Sequence, residues 1–169
     1  MDDQKEKRFK EILEGNSGRI KRICSYYCPN DTDLNDMYQE VRVNIWKSLD
    51  KFRGDSAIST WIYRIAVNTS ISFSGCAYRN KKLYIDQVPQ SLNVLLDEDD
   101  LEQKFRKEEQ LEQLEICLNQ LSVIDKALIS LVLEGLSIRE IADVIGLTEP
   151  NVKVKIHRVK EQLKQKLIN

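Results

Sequence analysis

The chain has 169 residues, 31% charged and 41% apolar, with a net charge of -1, which is enough for two small domains but not two large ones. No apolar run approaches the ~20 residues of a membrane span and the start Met-Asp-Asp-Gln-Lys-Glu-Lys is no signal peptide, so a soluble, cytoplasmic protein without direct membrane insertion is expected. The only histidine, His157, leaves acid–base and nucleophilic triads without their usual member, and no catalytic residue is expected.

In chain order, Phe9, Ile12 and Leu13 start a helix that Ile20, Ile23 and Cys24 continue or follow. Asp31 to Asp36 supply a polar turn. Leu34, Met37, Tyr38, Val41, Ile45 and Leu49 then recur at three and four residues, leaving Asp36, Gln39, Glu40, Arg42 and Lys47 on the outer face of an amphipathic helix. A break at 50–56 follows, and Ser59 or Thr60 can cap a third helix through Trp61, Ile62, Ile65, Ala66 and Thr69 to about Tyr78. The cysteines Cys24, Cys28, Cys76 and Cys117 lack zinc-site spacing; they read as buried thiols, and neither metal nor cofactor is expected.

Charge divides the chain. Residues 1–96 carry fifteen basic and twelve acidic side chains, residues 97–115 three and nine, and residues 116–169 eight and six, for nets of +3, -6 and +2. The centre, with Asp97-Glu-Asp-Asp100, reads as a flexible or partly helical acidic tether over 84–110. Neither strand alternation nor hairpin dipeptides occur, so the expectation is all-α: two small helical domains, 1–83 and 111–169, joined by an acidic linker.

The last third carries the sharpest local signal. Ser137 with Glu140 forms a capping box, Ile138, Ile141, Ala142 and Ile145 make an apolar stripe, and Gly146 allows a turn. Thr148 can cap a second helix with Pro150 in its first turn, burying Val152, Ile156, Val159, Leu163 and Leu167. From Glu149 onward six Lys or Arg face two Glu. A helix-turn-helix sends the first residues of its second helix to base edges, making Asn151, Lys153 and Lys155 candidate readers and Arg139, Arg158 and Lys160 candidate phosphate contacts.

The segment from Asp33 to Asn68, with Asp36-Met-Tyr-Gln-Glu40, Phe52-Arg-Gly-Asp-Ser56 and Arg64-Ile-Ala-Val-Asn68, strongly resembles region 2 of bacterial sigma factors of the extracytoplasmic-function type, and the end resembles their region 4. The resemblance implies that Asp36, Gln39, Glu40, Arg42 and Trp46 dock on the largest subunit of core RNA polymerase. It implies a pocket for an unstacked base of the -10 element formed by Phe52, Arg53, Gly54, Asp55, Ser56, Ala57 and Ile58 together with Asn68, with Trp61 and Arg64 as further -10 contacts. Arg139, Asn151, Lys153, Lys155, Arg158 and Lys160 then serve the -35 element, and apolar residues of the second domain rest on the flap of the other large subunit. The partners so implied are both large polymerase subunits, promoter DNA and an anti-sigma factor, for a monomer that is not an enzyme. One departure is Ser72-Phe-Ser-Gly-Cys-Ala-Tyr-Arg-Asn-Lys-Lys82, where the family has a denser basic run. The alternative is a dimeric helix-turn-helix regulator acting without polymerase.

Overall fold

The structure, a computed structural model, describes residues 2–28, 30–81, 108–110, 112–114 and 116–168. Among the described residues every regular element is helical. Helix α1 (Asp2–Ser25) is continuous through Gly15 and Gly18. The two apolar groups of its sequence share one face, and burying Leu13, Ile20, Ile23 and Cys24 together outweighs the ~1 kcal/mol that each glycine costs a helix interior.

Helix α2 (Asp31–Ser48) starts where a polar turn was expected. Asn30 caps it, its side-chain oxygen accepting from the Asp33 N–H at 2.8 Å, and Asp31 and Asp33 lie in the first turn, where carboxylates favour the helix dipole. The acidic cluster is therefore a helix start. Met37, Val41 and Ile45 are fully buried, and a short 3-10 turn (Leu49–Lys51) buries Leu49 at its end. Helix α3 (Ile58–Lys81) opens one residue before the expected caps. Its first bond runs from the Trp61 N–H to the Ala57 carbonyl, so Ser59 and Thr60 lie inside the first turn and Thr60 is buried.

The second half has helical residues 108–110, 112–114 and 116–119, then α4 (Val123–Leu133), α5 (Ile138–Ile145) and α6 (Glu149–Ile168). Ser122 caps α4, accepting from the Asp125 N–H at 3.2 Å. Of the acidic tether expected over 84–110, only 108–110 fall among the described residues. Lys82 and the side chains of Cys76, Arg79 and Lys81 also fall outside them. Val152, Ile156 and Val159 are buried as expected, but Leu167 is exposed and Leu163 only half-buried. Toward its end α6 meets a polar neighbour instead, Lys166 Nζ donating to Gln120 Oε1 at 2.6 Å.

A single apolar cluster runs from α1, α2 and α3 into α4, α5 and α6. Helix α3 packs on α5, and polar contacts frame that junction. Arg22 pairs with Glu134, Arg64 Nη2 donates to the Asp143 carbonyl, and the Lys126 ammonium lies 5.5 Å from the centre of the Tyr27 ring. Burial pushes the Tyr27 phenol well above its ordinary range.

Candidate nucleic-acid interface

The helix-turn-helix is built by local chemistry. Ser137 Oγ accepts from the Glu140 N–H at 3.2 Å while the Glu140 carboxylate accepts from the Ser137 N–H at 2.8 Å, so two donors at the helix start are satisfied reciprocally. That backbone bond, then the Ser137 side chain, holds the Glu140 carboxyl below its ordinary value. Gly146 ends α5 at φ +77°, its N–H reaching the Ala142 carbonyl at 2.8 Å. Such left-handed backbone suits glycine, and it turns the chain into α6. The Thr148 carbonyl accepts from the Val152 N–H at 3.0 Å, which puts Thr148 at the cap position and Pro150 in the first turn.

Helix α6 faces its core with Val152, Ile156 and Val159, leaving Asn151, Lys153, Arg158 and Lys160 exposed and Lys155 half-buried. Arg139 is exposed on α5. None of these six side chains has a hydrogen bond or ion pair with another described residue. Uncompensated cations along one helix are what a polyanion neutralises with release of its counterions. Val154, absent from the sequence reading, is 50% exposed among them.

The loop between the 3-10 turn and α3 presents a second surface. Arg53, Gly54, Asp55, Ser56 and Ala57 are exposed, and Gly54 takes φ +81° to make the bend. Phe52 is half-buried against Trp61, ring centres 5.1 Å apart, with the Arg8 guanidinium 5.8 Å from its ring. These rings brace the loop. Ile58 is half-buried in the core margin, and Arg64 is engaged with Asp143.

Asn68 sits apart from that loop. It lines a cavity of about 410 Å³ between α2 and α3 with Glu40, Asn44, Thr69, Ser72 and Phe73. Asn44 Nδ2 donates to Thr69 Oγ1 at 3.0 Å. The cavity thus offers amide and hydroxyl groups beside one aromatic ring, the equipment for holding the edge and face of an unpaired base. The sequence assigns neither Asn44 nor Phe73 to a site; Asn44 follows Glu40, and Phe73 follows Thr69, by one helical turn on facing helices.

The expected docking residues on α2 divide between two grooves. Gln39, Arg42 and Trp46 line a cavity of about 680 Å³ against α1, with Phe9, Leu13 and Val43, whereas Glu40 lines the α2–α3 cavity. Asp36 is exposed on the crest between them. Trp46 is fixed edge-on by Phe9 at 5.2 Å and by the Lys5 ammonium 4.7 Å from its ring. Gln39 Oε1 accepts from Arg42 Nη1 at 3.1 Å. Val43, also missed, is 41% exposed at the crest. The described residues hold no cluster of His, Cys, Asp or Glu suited to a metal, and none of their helices is long and apolar enough to cross a membrane.

Known proteins align with both halves. Residues 12–80 match the family model Sigma-70 region 2 and residues 111–163 match Sigma-70, region 4. The chain is 28% identical over 180 residues to an ECF RNA polymerase sigma-E factor of Escherichia coli, covering 96% of this chain and 87% of that protein. It is 27% identical over 167 residues to the protein of the same description from Haemophilus influenzae, covering 95% and 88%. Among solved structures, CnrH in complex with the cytosolic domain of CnrY superposes with a TM-score of 0.68 at 20% identity, over 95% of this chain and 87% of that one. The sigma factor RpoE in complex with the anti-sigma factor NepR from Bartonella quintana gives 0.68 at 19%, over 95% and 97%.

Proposed function

Since the chain belongs to the extracytoplasmic-function family of sigma factors, we propose that its two halves divide promoter recognition between a duplex-reading helix and a pocket for unpaired DNA. As an alternative sigma factor it binds core RNA polymerase, recognises -10 and -35 elements, promotes strand opening and starts transcription. The observation that carries the division of labour is the pairing, in one chain, of an unneutralised cationic helix α6 with the amide-lined cavity at Asn68.

Duplex DNA meets α6 first. Phosphates flanking the -35 element neutralise Lys153, Lys155, Lys160 and Arg139, while Asn151 and Arg158 approach base edges. Downstream, a base leaving the stack costs a few kcal/mol, which stacking and hydrogen bonding in a pocket offset. Asn68 with Asn44 supplies the polar part of that pocket, and the exposed loop 53–57 lies along the strand. Opening is thus driven by binding, and no side chain has to carry out a reaction. Core polymerase docks on the crest of α2 at Asp36 and Val43 and on the adjoining groove at Gln39 and Trp46, placing the protein in the compartment where transcription occurs, the cytoplasm. An anti-sigma factor is the regulator this arrangement invites, and two solved structures of similar fold are each described with a bound partner.

Run-off transcription with purified core polymerase on a promoter library tests the whole reading. Transcripts from a sequence-defined promoter subset are expected only when the protein is added. Specific duplex binding by a dimer without polymerase, and no such transcripts, would establish the regulator alternative.

A further inference from the structure

Helix α6 turns 100° per residue, so the buried stripe of Val152, Ile156 and Val159 fixes which side chains face directly away from the core. Val154, 50% exposed, lies opposite that stripe, and the exposed Glu161 shares its direction two turns later. Asn151 and Arg158 lie within about 60° of it on the same face, whereas Lys153 and Lys155 diverge by about 100° to either side. The lysines therefore point toward the walls of a groove that α6 enters, where phosphates lie, and Asn151, Val154 and Arg158 point to its floor. This revises the sequence reading, in which Lys153 and Lys155 were base readers.

A valine at that point is unexplained by folding. It has no core to bury itself in, and a β-branched residue on an exposed helix face is a poorer helix former than the lysines around it. Valine has neither donor nor acceptor. The one feature of a major-groove base edge that matches it is the 5-methyl group of thymine. We infer that Val154 packs on the 5-methyl group of one thymine in the upstream duplex element and so sets a thymine preference at that position. The inference rests on α6 being the recognition helix, and the flanking cations supply the charge complementarity that brings DNA to this face.

The test uses the full chain assembled with core polymerase. Selection from a random duplex library first defines the upstream element. Each of its thymines is then replaced singly by deoxyuridine, which removes only the methyl group, and binding is measured for wild type, V154A, V154T and K155A. One replacement should weaken wild-type binding about fourfold, the worth of one buried methyl group. V154A should bind the thymine and uracil duplexes equally, V154T should keep part of the difference, and K155A should weaken both duplexes alike. Indifference of wild type to every uracil, or discrimination that persists in V154A, would overturn the assignment of Val154 while leaving α6 as the reader. Selection of no upstream element would overturn both.

Discussion

Arg22 Nε donates to both carboxylate oxygens of Glu134 at 3.0 Å, joining the first half of the chain to the second across 112 positions. The pair is lopsided: the Glu134 side chain is 2% exposed and the Arg22 side chain 57%. Removing the arginine leaves a carboxylate out of water with its partner gone, which is costlier than losing the pair altogether. Arg22→Ala should therefore lower the melting temperature, and adding Glu134→Gln should restore part of the loss. Equal melting of wild type and Arg22→Ala in calorimetry would contradict this.

Polymerase docking should follow the crest of α2. Val43→Asp, at a position 41% exposed, should preserve the circular dichroism spectrum yet abolish core capture in a pull-down, and Gln39→Ala should weaken it. Glu40→Ala should have the smaller effect, because Glu40 belongs to the cavity with Asn68.

Strand opening should depend on both asparagines of that cavity. Asn68→Ala and Asn44→Ala should assemble with core polymerase and occupy the upstream element, yet show little permanganate reactivity of unpaired thymines on duplex promoter. A promoter already unpaired across the -10 element should partly rescue both. Full reactivity of Asn68→Ala on paired DNA would remove the cavity from the opening step.

The capping box gives a pH-dependent prediction. Ser137→Ala should cost about 1 kcal/mol of stability, read by denaturant titration. Because the Glu140 carboxyl is held below its ordinary value in the folded chain, its contribution is complete above the ordinary carboxylate range and disappears as pH falls through the lowered value. Glu140→Gln should flatten that part of the acid limb.

Burial raises the Cys24 thiol to about 11. The neutral form is favoured by folding, so its contribution holds below the ordinary thiol value and is lost as pH rises toward 11. Alkylation at neutral pH should be slow in the native protein and fast in denaturant, since only the thiolate attacks. Rapid native alkylation of Cys24 would count against this environment.

Most helices could be read from the chain because their apolar positions recur at helical spacing, as Met37, Val41 and Ile45 do. The reading failed where a polar residue had two possible uses. Asp31 to Asp36 suit a turn and a helix start equally well, and Asn30 decides for the latter by capping. Ser59 and Thr60 are good caps that the chain does not use. At the interface, Lys153 and Lys155 were visible as charge, but only the direction of the buried stripe separates them from Val154. Asn44 and Phe73 gain meaning only when α2 and α3 are set side by side, a relation between distant positions that periodicity does not encode.

The hydrogen bond from Arg64 to the Asp143 carbonyl has a consequence for reach. Elements named -10 and -35 lie roughly 25 base pairs apart, about 85 Å along a duplex at 3.4 Å per pair, while a compact chain of this length has a radius of gyration of about 15 Å. The closed molecule is too short to read both at once. Promoter occupancy must draw on whatever fraction of molecules has let the two halves part, and apparent affinity falls in proportion to that fraction. Arg22→Ala, which removes one contact between the halves, should therefore raise promoter occupancy at limiting polymerase.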